Sequence, residues 1–148
     1  MNTYLGTANA QLALKDAPVK ILNDELINID GMQILGISYP ERGGEESLAQ
    51  KIKALKDFDF RKPNILLYHS PSVVKEAKDL GINLQLAGHT HGGQIFPFQS
   101  ITYLIFGKYH SGLSQDGDFS IYTSVGTGTW GPMMRTSGRS EIVVLSFK

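Results

Sequence analysis

Three of the four histidines in this 148-residue chain directly follow apolar runs that are typical of buried strands. His89 and His91 are one residue apart between Gly88 and Gly92, just after the run at residues 84–87. His69 directly follows another apolar run, residues 64–68. Neutral imidazole is the commonest side-chain ligand of zinc and related divalent metals. The chemistry that these residues indicate is therefore that of a bound divalent metal ion.

The segment between the two runs predicts how these histidines meet. Ser70 is placed to cap a helix, Pro71 suits its first turn, and Gly81 suits its end. A strand, a helix and a strand of this length favour parallel, adjacent strands. The carboxyl ends of such strands lie at one edge of the sheet, where open α/β sheets bind ligands. The three histidines are therefore expected at a common edge.

The remaining periodicity predicts an α/β fold with a mixed β-sheet flanked by helices. Asp30-Gly31 favours a type I′ turn between two strands, and Ser47 is placed to cap a helix. Residues 101–106 fit either a helix or a strand, and residues 8–14 fit a short helix. Further strands are predicted over residues 19–22, 25–29, 32–39, 120–123 and 141–147.

Composition excludes several classes of function. Lysine plus arginine and aspartate plus glutamate number 14 each, so no basic surface indicates nucleic acid as a partner. The chain has no cysteine, which excludes disulfides and thiolate metal sites. It also lacks an apolar run long enough to span a membrane, so we expect it to be soluble. Residues 81–148 contain 11 of the 16 glycines, and residues 125–139 are predicted to form a glycine-rich loop.

Two motifs resemble the carboxyl-terminal half of the calcineurin-like metallophosphoesterases, and within them the bacterial membrane-associated branch. They are Tyr68-His69-Ser70-Pro71 and Gly88-His89-Thr90-His91-Gly92-Gly93-Gln94. Weaker similarity continues through Ile95-Phe96-Pro97-Phe98, residues 126–132, Arg135 and Ser140-Glu141-Ile142, so the resemblance covers about residues 19–148.

The resemblance implies that residues 1–148 are the carboxyl-terminal portion of a layered metallophosphoesterase sandwich. In that family, two divalent ions such as manganese, iron or zinc share a bridging carboxylate, and metal-bound water attacks the phosphorus of a phosphate ester. By this resemblance His69 and His89 ligate one ion and His91 ligates the other. Arg135 is the candidate catalytic contact to a phosphate oxygen.

The amino-terminal signatures of the family, Asp-x-His, Gly-Asp-x-x-Asp and Gly-Asn-His, are absent from this sequence. Val125 also stands where this branch is expected to have arginine. We therefore expect the isolated chain to be inactive and to bind at most one metal ion weakly. An exposed face of the sheet is expected to pack against the missing half or against a second copy.

Three further expectations follow. The apolar residues 95–106 are compatible with a lipid-like substrate, and with a full-length protein that is membrane-associated in a bacterium. His110 matches no motif and is expected to be a surface histidine. Two alternatives stay open: a mononuclear three-histidine zinc hydrolase, and a non-catalytic folded module that acts in interactions.

Overall fold

The computed structural model describes residues 12–39 and 47–147, which are organised around one six-stranded mixed sheet. Its strand order is β1-β2-β3-β4-β6-β5. The four inner strands are parallel, and the two edge strands pair antiparallel to their neighbours. The predicted α/β class is confirmed. The strands are β1 (Glu25–Ile29), β2 (Met32–Gly36), β3 (Asn64–Leu67), β4 (Leu84–Ala87), β5 (Gly112–Asp116) and β6 (Phe119–Thr123).

The turn between β1 and β2 is the one that the sequence predicts. Asp30 and Gly31 both have positive φ, 49° and 85°, as a type I′ turn requires. The strand predicted at residues 19–22 is wrong, because this segment is irregular. Leu22 instead packs so closely over Gly36 that a Cβ on Gly36 would overlap its side chain.

Two helices flank the sheet. The helix α1 (Leu48–Ala54) begins at Ser47, whose hydroxyl accepts from the Gln50 N–H in a complete capping box. The helix α2 (Val74–Asp79) follows a 3-10 turn that begins at Pro71. The predicted cap at Ser70 is wrong, since its side chain makes no capping hydrogen bond.

The segment that fits either a helix or a strand is a helix, α3 (Phe98–Phe106), which leads into a 3-10 turn, Gly107–His110. Within the described residues, no helix combines the length and the apolar character that crossing a bilayer requires. The helix predicted over residues 8–14 lies largely outside the described residues.

The core lies between one face of the sheet and the helices α1 and α2. The strands and their carboxyl ends contribute Leu35, Ile37, Leu66, Tyr68, Phe119 and Ile121, and the helical side contributes Leu48, Ile52, Val74, Ala77 and Ile82. Because side chains alternate along a strand, the other face carries a second apolar set: Ile27, Ile34, Ile65, Leu67, Leu84 and Leu86. None of the described helices contributes to a core on this second face, which we call the helix-free face.

The strand predicted at residues 141–147 is wrong. Glu141 is held by hydrogen bonds from the Val125 N–H and the Tyr122 hydroxyl, at 3.0 and 3.2 Å. Beyond it the chain is irregular, and Ile142 and Val144 are 87% and 86% exposed. A strand requires a hydrogen-bonded neighbour, and the described strands provide none for this segment.

Candidate metal centre

The structure brings His69 and His89 together at the carboxyl ends of two parallel strands. β3 and β4 are adjacent, and the Gly88 N–H just beyond β4 donates to the His69 carbonyl at 3.0 Å. The two imidazole rings lie 5.1 Å apart between centroids and are nearly perpendicular, at 86°. This is the edge of the sheet at which the sequence places them.

Two aromatic side chains lie against this pair, and the sequence reasoning missed both. Tyr39, just beyond β2, lies 5.7 Å from the His69 ring and 5.9 Å from the His89 ring between centroids. Phe106, the last residue of α3, meets the His89 ring edge-on at 6.0 Å. β2 runs parallel to β3, so a residue just beyond its carboxyl end could have been expected at the same edge of the sheet, and Tyr39 is such a residue.

His69 and His89 lie at exposed positions and His91 at a half-buried one, and partial desolvation lowers the pKa of each imidazole. Desolvation, with contributions from the neighbouring His89 and His91, lowers the pKa of His69 to about 4. Desolvation also lowers the pKa of His89 and, together with the nearby Arg135 cation, that of His91. Their lone pairs are therefore free at neutral pH, which is the form that binds a metal ion.

His91 occupies a separate position. It begins a 3-10 turn, His91–Gly93, and its carbonyl accepts from Nη1 of Arg135 at 2.8 Å. Its Nδ1 is buried and has no hydrogen-bond partner among the described residues. An orphaned buried nitrogen of this kind is an available donor to a metal ion.

These donors fit a divalent metal ion only in part. Across residues 12–39 and 47–147, no three histidine, aspartate or glutamate side chains form a group that could hold a metal. The mononuclear three-histidine site is therefore not supported, nor is one ion held through all three imidazoles. The physical reason is that His89 and His91 lie in a turn, with φ of 71° and 51°, and not on one face of a strand.

We call residues 88–94 the histidine turn, and its backbone is strained. From residue 89 to residue 94, every residue except Thr90 has positive φ. Three of these residues, His89, His91 and Gln94, are not glycine, and each such conformation costs roughly 1–3 kcal/mol. Strain of this kind persists where the surroundings fix it, and it concentrates at functional sites.

Thr90 is one of the groups that fix the turn, and the sequence reasoning missed it. Its hydroxyl donates to the His110 carbonyl at 2.7 Å and accepts from the Gly92 N–H at 3.2 Å. The expectation of a surface histidine at His110 is wrong, because this residue is half-buried and its ring lies 5.5 Å from that of Tyr103.

The structure places Arg135 beside the turn as an anchor of the glycine-rich loop, residues 125–139. Its guanidinium donates to the carbonyls of His91, Val125 and Gly128, at 2.8, 2.9 and 2.8 Å. Its Nε is buried and unpartnered within the described part of the chain. Contact with a phosphate oxygen stays a prediction.

Comparison with known proteins identifies relatives over most of the chain. It is 37% identical over 134 residues to an uncharacterised metallophosphoesterase of Helicobacter pylori, an overlap of 89% of this chain and 36% of that protein. An uncharacterised metallophosphoesterase of Aquifex aeolicus is 32% identical over 151 residues, covering 98% of this chain and 57% of the relative. A protein of Danio rerio named a transmembrane protein with metallophosphoesterase domain is 32% identical over 146 residues. The match covers 92% of this chain and 32% of that protein. No family model and no solved structure matches the chain.

The names of these relatives agree with the two histidine motifs on which the resemblance was based. The chain spans about a third of the length of the Helicobacter and Danio relatives. It belongs to the calcineurin-like metallophosphoesterase family.

Proposed function

We propose that this chain forms the carboxyl-terminal part of a phosphoesterase domain and contributes one side of a dinuclear metal centre. The proposal depends on one observation above all, the 5.1 Å separation of the His69 and His89 rings at the ends of adjacent parallel strands. Two neutral imidazoles at one edge of a sheet are suitable donors to a single divalent ion. Family membership supplies the reaction class, which is hydrolysis of a phosphate ester.

In this proposal His69 and His89 bind one ion and His91 binds the other. The buried, unpartnered Nδ1 of His91 supports its assignment as a separate ligand. Manganese, iron and zinc are the proposed ions, and polypeptide beyond this chain supplies the carboxylates. When bound, the two ions would provide a nucleophile at neutral pH and would clamp the attacking and leaving oxygens.

Arg135 is proposed to contact the substrate phosphate while it anchors the loop. Three of its five N–H groups donate to backbone carbonyls, which leaves the Nε–H and one Nη1–H. The Nε–H is buried and points away from the free Nη1–H, so a phosphoryl oxygen would accept from the Nη1–H alone, in a charge-assisted hydrogen bond of the type that favours phosphate.

Calorimetric titration of the chain with Zn²⁺ tests the metal assignment. We expect weak binding of a single ion and its loss in a His89→Ala variant, which leaves one imidazole where two now meet. A His110→Ala variant is the matched control, since its ring lies outside the pair while its carbonyl still accepts from Thr90. No heat of binding in the unsubstituted chain would contradict the proposal and would favour the non-catalytic module.

The second part of the proposal is that the isolated chain is inactive. Incubation with a chromogenic phosphodiester and Mn²⁺ should give no turnover above background, because no three metal-ligating side chains group together within residues 12–39 and 47–147. Robust turnover that disappears in a His91→Ala variant would show that the chain carries a complete active site.

We propose further that the substrate is lipid-like and that the full-length protein is membrane-associated in a bacterium. The helix α3 carries no charged residue and exposes Ile101, Leu104 and Ile105 by 49%, 82% and 66%. The name of the Danio relative, a transmembrane protein, supports the membrane assignment. The chain should cosediment with phospholipid vesicles, and a Leu104→Lys substitution should weaken this; full recovery in the supernatant would exclude it.

A further inference from the structure

Gln94, the last residue of the histidine turn, is bonded extensively to the glycine-rich loop. Its side chain is only 6% exposed. Its Oε1 accepts from the Trp130 N–H at 2.6 Å, and its Nε2 donates to the carbonyls of Trp130 and Pro132 at 2.8 and 3.2 Å. Its own carbonyl accepts from the N–H groups of Thr136 and Ser137, both at 2.9 Å. One residue thus makes five hydrogen bonds to the loop.

The other contacts of the loop are also hydrogen bonds: Arg135 donates to loop carbonyls, the Val125 N–H donates to Glu141, the Phe96 N–H donates to the Thr136 hydroxyl, and the Ser137 hydroxyl donates to Gln99. The loop contains no helix or strand, and the Cβ positions of Gly126, Gly128 and Gly131 meet no other atom within 4 Å. Its large apolar side chains point outward: Trp130 is 64% exposed and Met133 is 97% exposed. The conformation of the loop therefore depends on polar contacts, most of them with the segment that begins at the histidine turn and the others with Glu141.

Hydrogen bonds connect the loop to His91, a candidate metal ligand, by two routes, one through Gln94 and one through Arg135. The Gln94 N–H donates to the His91 carbonyl at 3.1 Å, and the same carbonyl accepts from Arg135. Arg135 in turn holds the Val125 and Gly128 carbonyls. A displacement of His91 is therefore transmitted to the loop from two sides, and a displacement of the loop is transmitted back to His91.

We infer that Gln94 is a positioning residue that couples the histidine turn to the glycine-rich loop, so that the loop forms a wall of the metal site and responds to its occupancy. The identity of the occupant, a divalent ion, rests on the proposed function; the coupling between turn and loop does not. By linkage, a loop that orders the turn raises metal affinity, and bound metal orders the loop by the same factor.

Trp130 reports directly on this coupling, because it is the sole tryptophan of the chain and its backbone is bonded to Gln94. In a Gln94→Met variant, which keeps the side-chain length and the backbone bonds but loses the three side-chain hydrogen bonds to Trp130 and Pro132, the metal-free anisotropy of Trp130 should fall. Gln115→Met is the matched control: it places the same substitution on β5, at an exposed position, and should leave the anisotropy unchanged. Gln94→Glu should not restore it, since a carboxylate would face the Trp130 and Pro132 carbonyls.

Zn²⁺ titration followed in parallel by calorimetry and by Trp130 anisotropy completes the test. In the unsubstituted chain the two signals should rise together, whereas Gln94→Met should bind roughly tenfold more weakly with no response from Trp130. Heat of binding without a Trp130 response in the unsubstituted chain overturns the inference, and that result does not depend on any variant being folded. An unchanged metal-free anisotropy in a folded Gln94→Met variant also overturns it. Absence of heat instead refutes the proposed metal site, while the metal-free comparison still decides the coupling.

Discussion

Of the glycines around the candidate metal ligands, Gly93 has the least space for a side chain. Its φ is +77°, and a Cβ would overlap the backbone of Gln99 in the first turn of α3. A Gly93→Ala variant must move that backbone, so we expect it to lower the free energy of unfolding by more than about 2 kcal/mol. Urea unfolding followed by circular dichroism measures the loss.

Gly88 provides the contrast. Its φ lies outside the positive range, and a Cβ would meet only the Ser124 carbonyl oxygen at an ordinary 3.8 Å. Gly88→Ala should therefore change the free energy of unfolding by no more than about 0.5 kcal/mol. Equal losses for Gly88→Ala and Gly93→Ala would show that contact with α3 is not what requires glycine at position 93.

How far the sequence could predict the site differs from residue to residue. His69 and His89 could be placed because each follows an apolar run, and strand polarity brings those ends together. The role of Gln94 could not be predicted, because its partners lie about 40 positions further along a loop that has no periodicity. Tyr39 and Thr90 were missed because neither forms a motif by itself.

At the scale of elements, the register of β3 against β4 sets the separation of His69 from His89. Two asparagines at the start of these strands fix it reciprocally: the Asn64 N–H donates to Oδ1 of Asn83 at 3.0 Å, and the Asn83 N–H donates to Oδ1 of Asn64 at 2.9 Å. Asn64 is 2% exposed, but Asn83 lies at an exposed position, so truncating Asn83 removes one hydrogen bond and opens the Asn64 N–H to water.

An Asn83→Ala variant should therefore lower the free energy of unfolding by about 0.5–1.5 kcal/mol, the usual net contribution of a hydrogen bond. Chemical denaturation measures it, with Asn28→Ala at an exposed position of β1 as the control that should stay within about 0.5 kcal/mol. A null effect of Asn83→Ala would mean that the register is set by the apolar side chains alone.

The elements that were predicted correctly are those whose local signals agree with their neighbours. Ser47 and Gln50 specify the start of α1, and Asp30-Gly31 specifies the β1–β2 turn. Residues 141–147 alternate as a strand should, yet alternation cannot supply the neighbouring strand that hydrogen bonding requires. The hairpin of β5 and β6 went unrecognised, although Gly117, with φ of 65°, lies in an Asp-Gly dipeptide that was a usable signal.

At the scale of the whole molecule, the helix-free face is the least complete feature of the fold. Its central side chains, Ile65 and Leu84, are 7% and 9% exposed, whereas Leu67 and Leu113 toward its margins are 37% and 61% exposed. An apolar sheet face of this kind favours packing against a second layer. The chain spans 36% of its Helicobacter relative, and we propose that either the remaining polypeptide of the longer protein or a second copy of this chain covers the face.

The isolated chain should consequently self-associate through this face, and light scattering over a range of concentrations measures the association. A Leu113→Lys substitution adds a charge to the exposed margin of the face, so it should shift the equilibrium toward monomer without lowering the free energy of unfolding. Leu104→Lys, at a side chain of α3 that is 82% exposed, is the control. If Leu104→Lys disperses the assembly and Leu113→Lys does not, the contact between copies runs through α3. A clean monomer of the unsubstituted chain at high concentration would mean that the helix-free face needs no second layer.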